Sequence, residues 1–248
     1  MDTPNIDLVV VIAAGLGSRL KSDAGPPKPL LPVAGRALAL RVLDRFAQAG
    51  AGQAVVVIGY RGDEVRAGIE SGRPALPVSF AMNPRWKQSN GLSVLAAREL
   101  VGERRFFLSM SDHVFDASLI AGLMTAPVPE GGLTLAVDRK LSEIYDMDDA
   151  TKVRTANGRI AAIAKDLADF DAVDTGLFAC TPGLFVALER ASSSRADGDC
   201  SLSDGVRALA AQGLAAVHDV GAGRWQDVDT PGAVVHAEKV FCGLSYGK

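Results

Sequence analysis

A glycine turn followed by two cations is the part of this sequence whose chemistry is easiest to read. The apolar residues 8–14 lead directly into Gly15 and Gly17, and Arg19 follows two residues later. Glycines let the backbone approach a ligand closely and turn its N–H groups inward, which suits phosphate oxygens. Lys28 comes later on a long loop that prolines stiffen. We therefore predict that Arg19 and Lys28 neutralise a polyphosphate. The alternative is an ordinary tight turn with two solvated basic side chains.

This loop matches neither of two common phosphate-binding motifs. The sequence has no GxxxxGK[ST], which excludes a Walker A loop. In the dinucleotide-binding fingerprint a third glycine precedes a helix, but here Leu20 replaces that glycine. Gly25-Pro26-Pro27 also prevents a helix from starting in this loop. The loop thus predicts a phosphate cradle of another kind.

The elements that must position this loop alternate between strands and helices. Residues 8–14 and 54–60 are continuous apolar runs, typical of strands that are covered on both faces. Residues 105–112 predict a further strand with an acidic residue at its C-terminal edge. Residues 76–83 predict another strand. Helical spacing of apolar residues predicts helices at residues 37–50, 62–70 and 91–101. This alternation is typical of a parallel α/β sheet.

The second half of the chain has a different pattern. Residues 151–165 predict two strands around Asn157-Gly158, a strong hairpin signal. Other predicted strands are residues 133–139, 174–180 and 215–220, and other predicted helices are residues 182–191, 202–212 and 231–241. Without a clean linker or an internal repeat, we predict one α/β domain over residues 1–248 with an inserted hairpin region and a weak boundary near residue 132.

Composition and charge exclude several classes of protein. The 248 residues carry a net charge of −3, so no basic excess is present to bind nucleic acid or an anionic membrane. Cys180, Cys200 and Cys242 form no CxxC pair, which indicates neither a disulfide framework nor a zinc site. No apolar run is long enough to span a bilayer, and the N-terminal residues lack a signal peptide's basic region. We expect a soluble, cytoplasmic protein in a reducing setting.

Several motifs together resemble a known family. AAGLGSRL and KPLLPVAGR are similar to the signature of nucleotidyltransferases that activate phosphorylated sugars and alcohols. NPRWKQSNGLSVLAA, SMSDHVF, DDATKV, DTGLF and RWQDVDT resemble, in this order, CTP:inositol-1-phosphate cytidylyltransferases. The resemblance extends from about residue 8 to residue 230. It implies a Rossmann-like, mixed but mostly parallel sheet with helices on both faces. The nucleotide would bind in the half at about residues 8–131, and the acceptor at about residues 132–248.

The resemblance implies a Mg²⁺-dependent reaction that joins CTP and inositol 1-phosphate to give CDP-inositol and pyrophosphate. The attacking phosphate oxygen is already ionised at neutral pH, so the reaction needs no general base. Catalysis then requires in-line positioning and charge neutralisation by cations and a metal. His113 is accordingly expected to be a loop residue and not a catalytic base.

Cationic and metal-binding residues follow from the resemblance. Arg19 and Lys28 would be catalytic at the triphosphate. Asp112, which follows a predicted strand, would bind Mg²⁺, and Asp229 or Asp227 would supply the second carboxylate, with Asp229 slightly preferred. A few carboxylates suffice because Mg²⁺ retains waters and binds phosphate oxygens. The alternative for Asp112 is a helix N-cap or a turn residue.

Nucleotide contacts are implied at two places. Backbone of the glycine loop would lie near the base, ribose and phosphates, and amide and hydroxyl groups after the third predicted strand could match a pyrimidine edge. Asn90 or Ser93 could instead cap the helix that follows. We expect Trp86 to pack. The implied nucleotide-binding residues are Ala13, Ala14, Gly15, Leu16, Gly17, Asn83, Asn90, Gly91 and Ser93.

Acceptor contacts are implied near the predicted hairpin. Lys165 would bind the acceptor phosphate, and Asp174 and Thr175 would bind the polyol, with Gly176 beside them. Lys152 is a weaker candidate because a lysine on a surface strand is usually solvated.

Two alternatives stay open. The acceptor could be phosphocholine or a hexose 1-phosphate, although Gly35-Arg36-Ala37-Leu38 lacks a proline that is usual in sugar nucleotidyltransferases. The chain could also be a silent nucleotide-binding regulatory module, but retention of Arg19, Lys28 and Asp112 argues against that. The preference for CTP rests on the resemblance alone.

The resemblance also bears on partners. The expected ligands are CTP and a phosphorylated polyol. Some relatives carry this domain fused to a membrane synthase, so we expect here a stand-alone soluble form that functions together with a membrane-bound synthase using CDP-inositol. The sequence leaves the oligomeric state open.

Overall fold

The computed structural model of the protein describes residues 6–20 and 25–241, and these form alternating strands and helices. The strands are β1 (Leu8–Ala13), β2 (Pro32–Val33), β3 (Arg36–Ala37), β4 (Gln53–Ile58), β5 (Val78–Met82), β6 (Phe106–Met110), β7 (His113–Phe115), β8 (Leu133–Asp138), β9 (Lys152–Ala156), β10 (Arg159–Ala164), β11 (Ala172–Cys180), β12 (Ala215–Asp219) and β13 (Trp225–Asp227). The helices are α1 (Leu38–Gln48), α2 (Gly62–Ser71), α3 (Gly91–Ala96), α4 (Arg98–Val101), α5 (Ala117–Thr125), α6 (Gly183–Ser193), α7 (Leu202–Ala210) and α8 (Pro231–Phe241). Short 3-10 turns cover Ser18–Leu20, Lys28–Leu30 and Leu141–Glu143.

Nine strands form one mixed sheet in the order β5-β4-β1-β6-β11-β8-β12-β10-β9. Strands β5, β4, β1 and β6 run parallel, as do β8 and β12. Strand β11 runs antiparallel to β6, β8 and β9, and β10 pairs antiparallel with β9 and β12. The mixed sheet and its hairpin confirm the predicted fold class, although antiparallel pairing is more extensive than predicted because β11 runs against three neighbours.

Helices cover both faces of the sheet, as the apolar runs predicted. Side chains of a strand alternate between its two faces. Val10 and Ile12 of β1 belong to one buried cluster, which includes side chains of α3, α6 and α7. Val9 and Val11 belong to a second cluster, with side chains of α1, α2 and α5. Burial on both faces explains why β1 is apolar along its whole length.

The carboxyl ends of β1, β4, β5 and β6 meet at one edge of the sheet. The chain goes from β1 to β4 and β5 on one side and then returns to β6 on the other side of β1. Such a reversal leaves a crevice above the strand ends, where open α/β sheets bind ligands. The glycine loop follows β1 and Asp112 follows β6, so both lie at this crevice.

A small antiparallel ribbon, β7 with β13, stands beside the crevice. His113 pairs with Asp227 and Phe115 with Trp225. Neither strand was predicted from the sequence, because three-residue strands are too short to show a period. This ribbon brings the C-terminal aspartates to the end of β6.

Local sequence signals account for much of the remaining agreement between the predicted and the observed elements. Asn157 and Gly158 have φ values of 51° and 73°, which are the positive angles that a two-residue hairpin turn requires. Residues 91–101 fold as two short helices, α3 and α4, where we predicted one. Helix α5 was not predicted, because its sequence ASLIAGLMT is apolar almost all round and lacks a clear period.

Strands from both halves of the chain share the nine-stranded sheet. Of the helices within residues 6–20 and 25–241, none has the length and apolarity that a bilayer crossing requires.

Candidate active site

Two adjoining cavities open at the crevice above β1 and β6. The first, which we call the glycine-loop cavity, has a volume of about 210 Å³ and is lined by residues that include Ala13, Gly15, Gly17, Lys28 and Ser93. The second, the carboxylate cavity, has a volume of about 270 Å³. Its polar lining includes Arg19, Asp149, Lys165, Asp174, Asp227 and Asp229. Asn90, Met110 and Asp112 line both cavities, so the two are neighbours.

The glycine loop lies directly on the stem of Lys28. Gly17 has a φ of +63°, and a Cβ at this position would lie 2.7 Å from Cβ of Lys28. Any larger residue would therefore displace the loop or the lysine. Lys28 begins a 3-10 turn, and its side chain is only 10 % exposed. The loop and the turn together aim the Lys28 ammonium at the junction of the cavities.

Alternating charges connect the two cavities. Lys28 Nζ donates to Asp112 Oδ2 and to Asp229 Oδ1. Arg19 Nη2 donates to Asp229 Oδ2 and, at 2.9 Å, to Asp149 Oδ2. Lys165 Nζ donates to Asp149 Oδ1 at 2.7 Å. We call these six residues the ion-pair chain: Asp112, Lys28, Asp229, Arg19, Asp149 and Lys165.

The ribbon explains how residues so distant in sequence meet. The backbone N–H of Val228 donates to the Asp112 carbonyl at 2.9 Å, directly after the pairing of His113 with Asp227. This register places Asp229 opposite the end of β6, where the Lys28 ammonium can bridge it to Asp112. The association of Lys28, Asp112 and Asp229 is therefore a product of backbone pairing.

Charged partners set the ionisation of Asp112 and His113. Burial alone would raise the pKa of Asp112, but the Lys28 charge and a hydrogen bond with His113 hold it well below its usual range. Burial alone would lower the pKa of His113, yet its contact with Asp112, at 2.8 Å between Nδ1 and Oδ1, raises it. His113 lies on strand β7 and stacks on Trp225, whereas we expected it in a loop. It orients Asp112 from the side opposite Lys28.

Asp174 differs from Asp112 in that its pKa is raised and not lowered. It lines the carboxylate cavity, and its Oδ1 accepts a hydrogen bond of 2.7 Å from the Gly176 backbone. Burial raises its pKa to about 6, because the Gly176 hydrogen bond and the His113 charge offset only part of the desolvation. Asp174 and Gly176 thus face the cavity together with Lys165.

Two of the predicted acceptor residues do not reach the cavity. The Thr175 side chain is fully buried, and its hydroxyl donates to the Ala136 carbonyl at 2.8 Å. Alternation along β11 turns Thr175 away from the face that Asp174 occupies. Lys152 is buried, not solvated as we expected, and its Nζ donates to the Asp148 carbonyl at 3.1 Å. Both side chains hold the fold together at the cavity wall.

Some of the predicted nucleotide-binding residues also line a cavity, whereas others make contacts inside the fold. Asn83 is buried, and its Nδ2 donates to Ser93 Oγ at 2.9 Å. Within the described residues, neither Asn90 nor Ser93 caps α3 through its side chain. Asn90 Oδ1 instead accepts from the backbone N–H of Leu202 at 2.9 Å and so holds the start of α7. Gly91 packs against the Cys200 carbonyl, where a Cβ would lie at 2.5 Å.

Ala14, Leu16, Asn83 and Gly91 lie outside the lining of both cavities, whereas the other predicted nucleotide residues line one or both. The backbone N–H of Tyr60 donates to the Ala14 carbonyl at 3.0 Å, which ties the loop to the end of β4.

Sequence reasoning missed several cavity residues. Asp149 was part of the DDATKV motif, in which only Lys152 was considered, so a signal for it was available. Gln88 and Trp86 line the glycine-loop cavity. Trp86 also packs against Tyr60, with ring centroids 5.1 Å apart. Tyr145 lines the carboxylate cavity and stacks on His236, and no periodicity in the sequence marked it.

The carboxylates have the chemistry of a site for a hard divalent cation. Ligand oxygens of Asp149, Asp227 and Asp229 lie within 4.8 Å of one another. Asp112 faces the same Lys28 ammonium as Asp229. Carboxylate oxygens are the ligands that Mg²⁺ accepts, with waters and phosphate oxygens filling its remaining positions.

The chain is similar to known proteins over most of its length. The chain is 38 % identical over 236 residues to a protein of Rubrobacter xylanophilus named bifunctional IPC transferase and DIPP synthase, covering 94 % of this chain and 51 % of that protein. A protein of the same name from Archaeoglobus fulgidus is 32 % identical over 232 residues, covering 94 % of this chain and 43 % of the other. The chain thus spans about half the length of these relatives.

A solved structure, the inositol-1-phosphate CTP transferase from T. maritima, superposes with a TM-score of 0.83 at 24 % identity, covering 97 % of this chain and 98 % of that one. It shares the fold. The relatives confirm the resemblance drawn from the sequence motifs. Residues 9–168 match the MobA-like NTP transferase domain, and the chain therefore belongs to that family.

Proposed function

We propose that the protein transfers a cytidylyl group from CTP to inositol 1-phosphate, giving CDP-inositol and pyrophosphate. The observation that carries the proposal is the pair of adjoining cavities, which meet at Asp112 and hold cations on both sides. We take the proposed substrates from the names of the relatives. Cationic side chains in the two cavities can neutralise the phosphate groups of both substrates.

The nucleotide half of the site follows from the glycine-loop cavity. Backbone of Ala13, Gly15 and Gly17 lines it beside Lys28. In our proposal Lys28 and Arg19 contact the triphosphate and stabilise the charge that builds on the leaving pyrophosphate. The base lies toward Ser93 and Asn90, whose amide group can both donate and accept hydrogen bonds.

The acceptor half follows from the carboxylate cavity. Lys165 would bind the acceptor phosphate, while Asp174 and Gly176 would contact the polyol. An oxygen of the acceptor phosphate attacks the α-phosphorus of CTP, and the bond to the β-phosphate breaks. The attacking oxygen is ionised at neutral pH, so no residue has to remove a proton. The two cavities must only hold the reacting atoms in line.

Nucleotidyltransferases of this kind generally use a divalent metal, and we propose Mg²⁺ here. Asp112 and Asp229 would hold it, with Asp227 beside them on the ribbon. A bound Mg²⁺ supplies charge neutralisation at the phosphates. Lys28 pairs with both Asp112 and Asp229, so its ammonium lies where it could also contact phosphate oxygens of the nucleotide.

Pyrophosphate release tests the proposal most directly. CTP, UTP, GTP, ATP and dTTP are each combined with inositol 1-phosphate, phosphocholine or glucose 1-phosphate in the presence of Mg²⁺. Release only with CTP and inositol 1-phosphate is the expected result. Release with another pair would be consistent with the proposed mechanism but would reject CTP and inositol 1-phosphate as the substrate pair. If no pair reacts although CTP binds, the inositol 1-phosphate proposal fails, and the chain either uses an acceptor outside this set or is a silent nucleotide-binding module.

Replacing Lys165 by alanine is expected to raise the KM for inositol 1-phosphate about tenfold or more, because a hydrogen bond to a charged group contributes about 1.5–3 kcal/mol. The KM for CTP should change much less, since Arg19 and Lys28 remain. Steady-state kinetics with each substrate varied in turn measure the two constants. Lys239→Ala, at an exposed lysine of α8, is the control. An effect confined to the KM for CTP would refute the assignment of Lys165.

The setting and partners of the protein belong to the same proposal. We propose a cytoplasmic protein whose product is consumed by a membrane-bound synthase, because its relatives combine a transferase and a synthase in one name. Fractionation of cells, with the activity assayed in the membrane and soluble fractions, tests this placement.

A further inference from the structure

One carboxylate in the carboxylate cavity contacts a cation from each half of the site. Asp149 Oδ1 accepts a hydrogen bond of 2.7 Å from Lys165, and Asp149 Oδ2 accepts one of 2.9 Å from Arg19. Arg19 follows the glycine loop, whereas Lys165 follows β10. Both cationic nitrogens therefore lie within 2.9 Å of a single side chain.

The segment that carries Asp149 is itself anchored on both sides. Tyr145 stacks on His236 of α8, with ring centroids 4.3 Å apart. The Thr151 carbonyl accepts a hydrogen bond of 2.9 Å from the backbone N–H of Asp174. Asp149 thus stands on backbone that is fixed to α8 and to β11. A carboxylate on such a support can impose one position on the flexible side chains that bind it.

The two cations depend on Asp149 to different degrees. Arg19 also pairs with Asp229, so it keeps a partner when Asp149 is removed. Among the described residues, Lys165 pairs with Asp149 alone, and its side chain is 60 % exposed. A lysine side chain that is free to rotate loses rotamer entropy on binding. A fixed partner reduces that loss by holding the ammonium inside the cavity.

A gain in folding stability does not explain why Asp149 binds both Arg19 and Lys165. Exposed ion pairs contribute little to folding stability, and Lys165 is largely exposed. We propose that Asp149 is a positioning residue, which holds Lys165 and Arg19 on one carboxylate and thereby aligns the acceptor phosphate with the α-phosphorus of CTP. This inference rests on the proposed function, because it assigns Lys165 to the acceptor phosphate.

The test compares Asp149→Asn with Asp148→Asn. Asp148 is the preceding residue, is exposed and lies outside the lining of the carboxylate cavity, so the pair is matched for charge and for location in the chain. We expect Asp149→Asn to raise the KM for inositol 1-phosphate about tenfold and to lower kcat about tenfold, the scale of a small misplacement of reacting groups. The KM for CTP and the midpoint of thermal unfolding should stay close to wild type, and Asp148→Asn should stay within about twofold.

A double-mutant cycle separates positioning from other roles. If Asp149 acts on the acceptor through Lys165, adding Asp149→Asn to Lys165→Ala should leave the KM for inositol 1-phosphate within about twofold of the single Lys165→Ala variant. Multiplication of the two single effects would overturn the proposal. An unchanged KM for the acceptor in Asp149→Asn, with a raised Mg²⁺ requirement, would overturn it too and make Asp149 a metal ligand.

The activity of the wild-type protein distinguishes failure of this proposal from failure of the proposed function. If the wild type releases no pyrophosphate from any nucleotide and acceptor, the proposed function fails and the role of Asp149 fails with it. If the wild type is active and Asp149→Asn matches Asp148→Asn in all constants, only the role of Asp149 is rejected.

Discussion

Replacing Lys28 by alanine is expected to lower kcat/KM by about 10²–10³, the cost of removing one charged donor from a site where charge develops. Lys28 is the cation at the junction of the two cavities, and its ammonium reaches both Asp112 and Asp229. Its loss removes neutralisation of the triphosphate and also leaves two carboxylates facing each other. Pyrophosphate release under saturating and limiting CTP measures the loss.

Two further variants make this prediction specific. Lys28→Met keeps the aliphatic stem on which Gly17 packs and removes only the charge, so it should be as inactive as Lys28→Ala. Lys239→Met makes the same change at an exposed lysine of α8 and should behave as wild type. Circular dichroism should show folded protein in all three. Rates for Lys28→Met near those of wild type would remove Lys28 from the reaction.

The second large effect is expected for Asp112, where either alanine or asparagine should reduce kcat by about 10²-fold or more. Asparagine keeps the shape of the side chain but removes the charge that we assign to Mg²⁺. The pKa of Asp112 lies well below its usual range, so the carboxylate is ionised and available to a metal throughout the neutral range. Mn²⁺ binding in the presence of CTP, followed by electron paramagnetic resonance, should weaken in parallel with kcat.

Asp116→Asn is the matched control for this variant. Asp116 lies four residues away and also bears an ion pair, at 3.0 Å to Arg224, but it lies outside the lining of both cavities. Its activity should stay within about twofold of wild type. If Asp112→Asn bound Mn²⁺ as tightly as wild type, the metal assignment would fail even if activity were lost.

The fold was largely predictable because its signals are local. The apolar run of β1 predicted a strand covered on both faces, and Asn157-Gly158 predicted the hairpin turn. Motifs around Arg19, Lys28, Asp112 and Asp229 marked these residues for the site through the resemblance, but the ribbon that brings Asp229 to Lys28 was not predicted. The apolar run of a strand and the turn dipeptide of a hairpin are encoded by residues that are close together in the sequence.

The remaining features depend on contacts between distant segments. Strand alternation alone puts Thr175 on the face opposite Asp174, but which of the two faces the cavity, and that the Thr175 hydroxyl binds the Ala136 carbonyl, depends on tertiary packing. Asn90 looked like a cap for α3, yet it holds the start of α7. Asp149 gains its two cations only when β9, the glycine loop and β10 are in place. Such pairings follow from tertiary packing, which single-sequence patterns do not contain.

The β7–β13 ribbon has a consequence for the timing of protein synthesis. It pairs residues 113–115 with residues 225–227, and it places Asp229 beside Lys28. Chains grow from the N-terminus, and segments begin to fold as they leave the ribosome. A nascent chain therefore carries the glycine loop, Lys28 and Asp112 long before residue 229 has been added. A translation product interrupted between residues 220 and 228 carries all nine strands of the main sheet but lacks Asp229, so its ion-pair chain is broken between Lys28 and Arg19.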